Sequence, residues 1–314
     1  MVWRNQTFNF DFILLGIFSH SPTHIFLFSL VFGIFLVAFM GNIVMILLIY
    51  LDTQLHTPMY FLLSQLSLMD LMLISTTVPK MAFNYLSGRK SISLAGCGTQ
   101  IFFIVSLLGA ECFLLAVMAY DRYVAICYPL RYTILMNQKL CVLMTVSSWI
   151  LGSLDGIIVL AAALSFSYCN SLEIHHFFCD VAALLPLSCT DTSVFERVLF
   201  ICCVVMLIFP VSVIIGSYTR VIQAVIRMSS GESRRKAFTT CSSHLSVVGL
   251  YYGAAMFMYM RPASTHTPDQ DKMVSAFYTI LTPMLNPLIY SLRNKEVSKG
   301  LQKLLRNSKI MQHH

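Results

Sequence analysis

The chain has 314 residues, of which 57% are hydrophobic and only 11% charged, whereas an ordinary soluble domain carries about 25% charged residues. So little charge cannot coat a soluble globule of this size, and the composition points to a polytopic membrane protein. The net charge of +7 is distributed as membrane topology requires, which argues against a nucleic-acid surface.

Residues 1–25 are mixed in character and are expected outside the cell. They lack a basic stretch followed by a cleavable apolar run, so the first apolar segment is expected to stay as a signal anchor. Asn5-Gln6-Thr7 is an N-glycosylation sequon, with Asn5 as acceptor. Seven apolar segments then follow, at roughly 26–50, 58–79, 98–120, 140–164, 198–222, 239–260 and 272–292. Each is close to the ~20 residues that a spanning helix needs. They predict an all-α membrane protein, a seven-transmembrane bundle over residues 26–292. Asp70, Glu111 and Asp155 lie inside the second, third and fourth segments, where a lipid-facing acid would be costly. With the N-terminus outside, two thirds of the Lys and Arg residues fall on the cytoplasmic side, so the expected orientation is N-out, C-in.

Ten cysteines are too many to count as a disulfide framework, because several sit within apolar segments, where a small hydrophobe packs well. Cys97 opens the third segment, and Cys169, Cys179 and Cys189 lie in the long loop 165–197. On an oxidising face these four make two bridges in one of three pairings, which spacing leaves open. His175 and His176 share that loop, but no zinc-type or nucleophile motif accompanies them, and no enzyme is indicated. In residues 293–314, Val297, Leu301, Leu304 and Leu305 keep helical spacing, while Lys295, Lys299, Lys303 and Arg306 take other faces. That pattern predicts a short amphipathic cytoplasmic helix with its basic side toward anionic lipid. No cysteine follows Cys241 to carry a palmitoyl anchor.

The third segment ends in Met118-Ala-Tyr-Asp-Arg-Tyr-Val-Ala-Ile-Cys127, an acid and a base side by side at a membrane edge. Gly41-Asn42, Leu55-His-Thr-Pro-Met-Tyr60, Ser217-Tyr218, Lys236-Ala-Phe-Thr-Thr-Cys-Ser-Ser-His244 and Pro283-Met-Leu-Asn-Pro-Leu-Ile-Tyr290 occur in order on the other segments. Together these resemble the rhodopsin-like G-protein-coupled receptors, and among them the olfactory receptors. The long loop with Phe178-Cys179-Asp180 resembles their tetrapod-type class. Two departures from rhodopsin-like receptors at large stand out. Tyr251-Tyr252-Gly253 replaces the usual Trp and Pro of the sixth helix, and Ile104 stands where aminergic receptors carry Asp, so a neutral ligand is expected.

The resemblance implies bridges Cys97–Cys179 and Cys169–Cys189. It implies a switch in which Asp121, Arg122, Tyr123, Tyr218, Asn286, Pro287 and Tyr290 link ligand binding to a heterotrimeric G protein of the olfactory stimulatory type and to cyclic AMP. Asp70, Glu111 and Asn286 resemble a sodium site, unless one acid is protonated and only hydrogen-bonded. The implied odorant pocket comprises Ile104, Val105, Leu108, Gly109, Cys202, Cys203, Met206, Tyr252, Ala255, Met256 and Tyr259, suited to a small volatile molecule. No cofactor is required. Cys202, Cys203 and Met206 could hold Cu(I) for sulfur odorants, or serve as polarizable core residues. The expected location is the plasma membrane of olfactory sensory cilia. A receptor for a non-odorant ligand is the nearest alternative; a transporter is disfavoured by seven spans without an inverted repeat.

Overall fold

The computed structural model describes residues 11–18, 21–169, 171–260, 265, 267–293 and 296–302. Seven long helical rods dominate: α1 (Pro22–Leu51), α2 (Pro58–Ser87), α3 (Leu94–Cys127), α4 (Gln138–Ser165), α5 (Ser193–Ile226), α6 (Gly231–Tyr259) and α7. The last is assembled from Pro268–Ala276, a π turn Phe277–Leu281 and Thr282–Arg293. Polar caps at the membrane edges set where helices begin. Ser21, Ser93, Asn137 and Ser230 accept from the first-turn amides of α1, α3, α4 and α6, and Pro22, Pro58 and Pro268 occupy first-turn positions. Gly88 ends α2 at φ +70°, a left-handed cap that suits glycine. The helices overrun the apolar spans, since caps rather than hydropathy stop them.

Five rods, α1 to α5, are long and apolar enough to cross a membrane on length and composition alone. α6 begins with Glu232, Arg234, Arg235 and Lys236 and so carries charge into its first turns. Rows of large apolar side chains face outward, among them Phe26, Met40, Ile157, Phe209 and Ile215, as a lipid solvent allows. α3 is the buried central rod, packed against α2, α4 and α5.

α7 runs as a helix through Asn286-Pro287, and its irregular turn lies earlier, at Phe277–Leu281. Pro287 lacks an N–H, which leaves the carbonyl of Pro283 one turn back without its helical donor. Asn42 of α1 supplies a substitute, donating from Nδ2 to that oxygen at 2.8 Å. Gly41 lets α1 approach there, since a Cβ would lie 3.3 Å from Pro287 Cγ.

One end of the bundle is covered by a small sheet that no sequence pattern announced. β1 (Asp11–Leu14) pairs antiparallel with β2 (Ser91–Ser93) and parallel with β3 (Glu173–Ile174), in the order β2-β1-β3. Phe12 and Leu14 turn inward onto Ile101, Val159 and Phe195. The expected bridges are both formed at this end, with Cα separations of 5.4 Å for Cys97–Cys179 and 5.9 Å for Cys169–Cys189. At the opposite end, residues 296–302 are helical, with Val297 buried and Gly300 against Leu48 of α1. Asn5, Lys295, Lys303, Leu304, Leu305 and Arg306 lie outside the described residues.

Candidate functional site

Beneath the disulfide-tied loop is a cavity of about 100 Å³. Val105, Leu108, Gly109 and Cys112 of α3 line it with Asp155 and Val159 of α4, Asp180, Val181 and Ala182 of the loop, and Leu199, Cys203, Met206 and Leu207 of α5. Tyr251, Ala255 and Tyr259 of α6 and Tyr278 of α7 complete it. Tyr251 donates to the Leu108 carbonyl at 2.5 Å, tying α6 to α3 beside the cavity. Tyr259 and Tyr278 hydroxyls lie 3.3 Å apart, tying α6 to α7. Gly109 makes room: a Cβ there would come within 2.5 Å of Met206 Cε.

Seven of the expected pocket residues line this cavity: Val105, Leu108, Gly109, Cys203, Met206, Ala255 and Tyr259. Four do not, for a common reason. Along α6 the lining residues are Tyr251, Ala255 and Tyr259, at i, i+4 and i+8, which puts Tyr252 and Met256 one step around the helix. Tyr252 instead donates to the Cys112 carbonyl at 2.7 Å, and Met256 packs in the core. Ile104 is buried one step from Val105, and Cys202 is half-buried one step from Cys203. Of the three sulfur residues, only Cys203 and Met206 line the cavity. Among the described residues no three His, Cys, Asp or Glu side chains are grouped closely enough to hold a metal ion.

Deeper in the bundle, Asp70, Glu111 and Asn286 are all buried. Asn286 Nδ2 donates to both carboxylate oxygens of Asp70, at 2.9 and 3.3 Å. Glu111 Oε1 and Asn286 Oδ1 are buried with no hydrogen-bond partner among the described residues. Two orphaned oxygens beside a carboxylate are hard donors that suit a small cation.

At the Arg122 end, Asp121 is buried and takes both the Arg122 guanidinium and the Tyr132 hydroxyl, the latter at 2.7 Å. Burial, then the Asp121 carboxylate, push the Tyr132 hydroxyl far above the usual phenol range. Tyr218 does not reach Arg122; its hydroxyl is hydrogen-bonded to His244 Nδ1 at 2.7 Å, the two rings stacked at 5.7 Å. The bond joins α5 to α6. Tyr290 lies nearby with a buried hydroxyl that has no partner among the described residues. Tyr123 turns aside, its hydroxyl 3.4 Å from that of Tyr128. A cavity of about 730 Å³ opens here, lined by Tyr60, Asp121, Arg122, Arg235, Lys236, Thr239, His244 and Tyr290 among others. Pro287 serves the α1–α7 contact rather than this cavity.

The sequence motifs include His244, Tyr251 and Asp180 without giving them a site role, and they leave out Tyr132. His244 carried a usable signal, a lone histidine inside an apolar span, which must find a partner.

The sequence profile described as "Olfactory receptor" matches residues 28–308. Human "Olfactory receptor 2M4" is 84% identical over 311 residues, covering 99% of this chain and 100% of its own. Human "Olfactory receptor 2M2" is 76% identical over 98% of this chain and 89% of its own length. Mouse "Olfactory receptor 2V1" is 60% identical over 100% of this chain and 99% of its own.

Proposed function

The chain belongs to the olfactory receptor family, and from that premise we propose that it binds a small volatile odorant and activates a stimulatory G protein that raises cyclic AMP. It is a multi-pass membrane protein and not an enzyme. The observation that carries the reading is the placement of two cavities on one rod. Leu108 of α3 lines the apolar cavity, and Arg122 lines the larger one 14 residues on, about four turns and ~21 Å away. The loop-covered cavity takes the odorant, and the open one takes the G-protein tail. Residues 26–292 form the receptor unit, with 1–25 outside and 293–314 in the cytoplasm of olfactory cilia.

The odorant cavity is apolar but holds Asp155 and Asp180, and among the described residues no Lys, Arg or His lines it. A neutral ligand with one hydroxyl or thiol donor would find an acceptor there while its hydrocarbon part fills the rest. Asp70, Glu111 and Asn286 would hold sodium through their oxygens, steadying the bundle between the two cavities. For sulfur odorants, Cys203 and Met206 would hold Cu(I), with the ligand's own sulfur as a further donor. If Cys202→Ser with Cys203→Ser left thiol responses and their copper dependence unchanged, that metal role would fall.

A cyclic-AMP reporter screen against volatiles, run with and without copper, tests the whole reading. Arg122→Ala should abolish the response while leaving surface expression and odorant binding intact. Signalling that persists in this variant would remove Arg122 from the output end.

A further inference from the structure

A third cavity, of about 160 Å³, lies between the segment that follows β1 and the last turns of α2, and it shares no lining residue with the odorant cavity. The chain turns there at Gly16, whose φ of +75° suits glycine and whose missing Cβ would stand in open space. Phe18, Tyr85 and Phe177 give it aromatic walls. Two polar groups stand out against them. Asn84 is only 6% exposed, and its Oδ1 has no hydrogen-bond partner among the described residues. A buried amide oxygen without a donor carries a desolvation penalty that a bound hydroxyl would relieve. Lys90 lies on the exposed side, its Nζ donating to the Leu15 carbonyl at 3.4 Å and keeping further N–H donors, and among the described residues no carboxylate lines the cavity to neutralise it.

A buried acceptor, a cation and an aromatic wall in one small space define a ligand with a donor, an anionic group and a short hydrocarbon tail. We propose that this cavity binds short aliphatic α-hydroxy carboxylates, the hydroxyl donating to Asn84 Oδ1, the carboxylate meeting the Lys90 ammonium and the tail lying on Phe18 and Phe177. The occupant would touch Phe177, three residues before Asp180, which lines the odorant cavity. The site is therefore placed to stiffen the loop that closes over the odorant.

The test is direct binding to the full-length receptor in lipid nanodiscs, titrated with α-hydroxyisocaproate, with isocaproate and with the secondary alcohol that lacks the carboxylate. The hydroxy acid should bind roughly fivefold tighter than isocaproate, the worth of one hydrogen bond. Asn84→Leu should erase that preference. Lys90→Gln, at an exposed position that does not threaten folding, should weaken both acids alike and leave the alcohol unchanged. Asp155→Asn in the odorant cavity should leave all three unaffected, which separates this site from the odorant reading. Absence of binding, absence of a hydroxyl preference, or binding unchanged in both variants would overturn the assignment.

Discussion

His176 shows how far a residue's surroundings can depart from what its neighbours in sequence suggest. In the chain it is one of two adjacent histidines in a long loop. In the fold it is 2% exposed, stacked on Phe177 at 4.7 Å and edge-on to Phe178 at 4.3 Å, while its carbonyl accepts from Gly16. Burial, and then the charge of Lys272, push its pKa from 6.5 down to about 3. The folded loop therefore holds the neutral ring. Above the unfolded value of 6.5 its contribution to stability is fully present; between 6.5 and about 3 the unfolded chain takes up a proton that the folded one refuses. The loss is about 1.4 kcal/mol by roughly pH 5.5. The melting midpoint of the purified receptor should fall between about pH 7.5 and pH 5.5, and His176→Phe, which keeps a ring without the titration, should flatten that part of the fall. A wild-type profile identical to that of the variant would show that the loop does not bury this group. Neither His176 in its loop nor Asn84 near the end of α2 was legible as buried, because both lie under β1 and the segment that follows it, and strands of two to four residues are too short to show a period of two.

Among the helices, position along the chain was legible and rotation about the axis was not. Seven apolar runs located seven rods, yet Ile104, Cys202, Tyr252 and Met256 were each assigned to the pocket one step from a residue that lines it. The cause is physical: lipid-facing and core-facing sides are both apolar, so the amphipathic period that fixes rotation in a soluble helix nearly vanishes. Small residues carry the missing information. Gly152 and Gly156 of α4 lie one turn apart against α3, and a Cβ on Gly156 would stand 2.9 Å from the Phe102 carbonyl, while one on Gly152 would stand 2.5 Å from the Ala110 nitrogen. These contacts are with backbone, which cannot swing aside. Gly152→Val should destabilise the receptor by ~1–3 kcal/mol or more and remove it from the cell surface. Gly249 in α6 has nothing within 4 Å of its Cβ position, so Gly249→Ala should leave folding intact or raise stability by ~0.5–1 kcal/mol. Surface labelling and thermal denaturation of the pair check both directions, and equal behaviour would refute the role given to the α3–α4 seam.

On the scale of the whole molecule, the two ends are closed by different means. Two disulfides and a three-stranded sheet hold the loop-covered end, a covalent and hydrogen-bonded cover. The Arg122 end is held by single polar contacts: Arg122 and Tyr132 on Asp121, and Tyr218 on His244 between α5 and α6. The rhodopsin-like resemblance expects the inner end of the sixth helix to swing outward, which the Tyr218–His244 bond opposes. His244→Phe keeps the ring that stacks on Tyr218 and removes only the hydrogen bond, so it isolates the latch. A bond worth ~1 kcal/mol shifts the ratio of active to resting receptor about fivefold. Basal cyclic AMP at matched surface expression should therefore rise by a similar factor, and the odorant concentration for half-maximal response should fall, because less of the ligand's binding energy is needed to open the α5–α6 contact. Unchanged or lower basal output from a normally expressed variant would mean that the Tyr218–His244 bond does not hold the resting form.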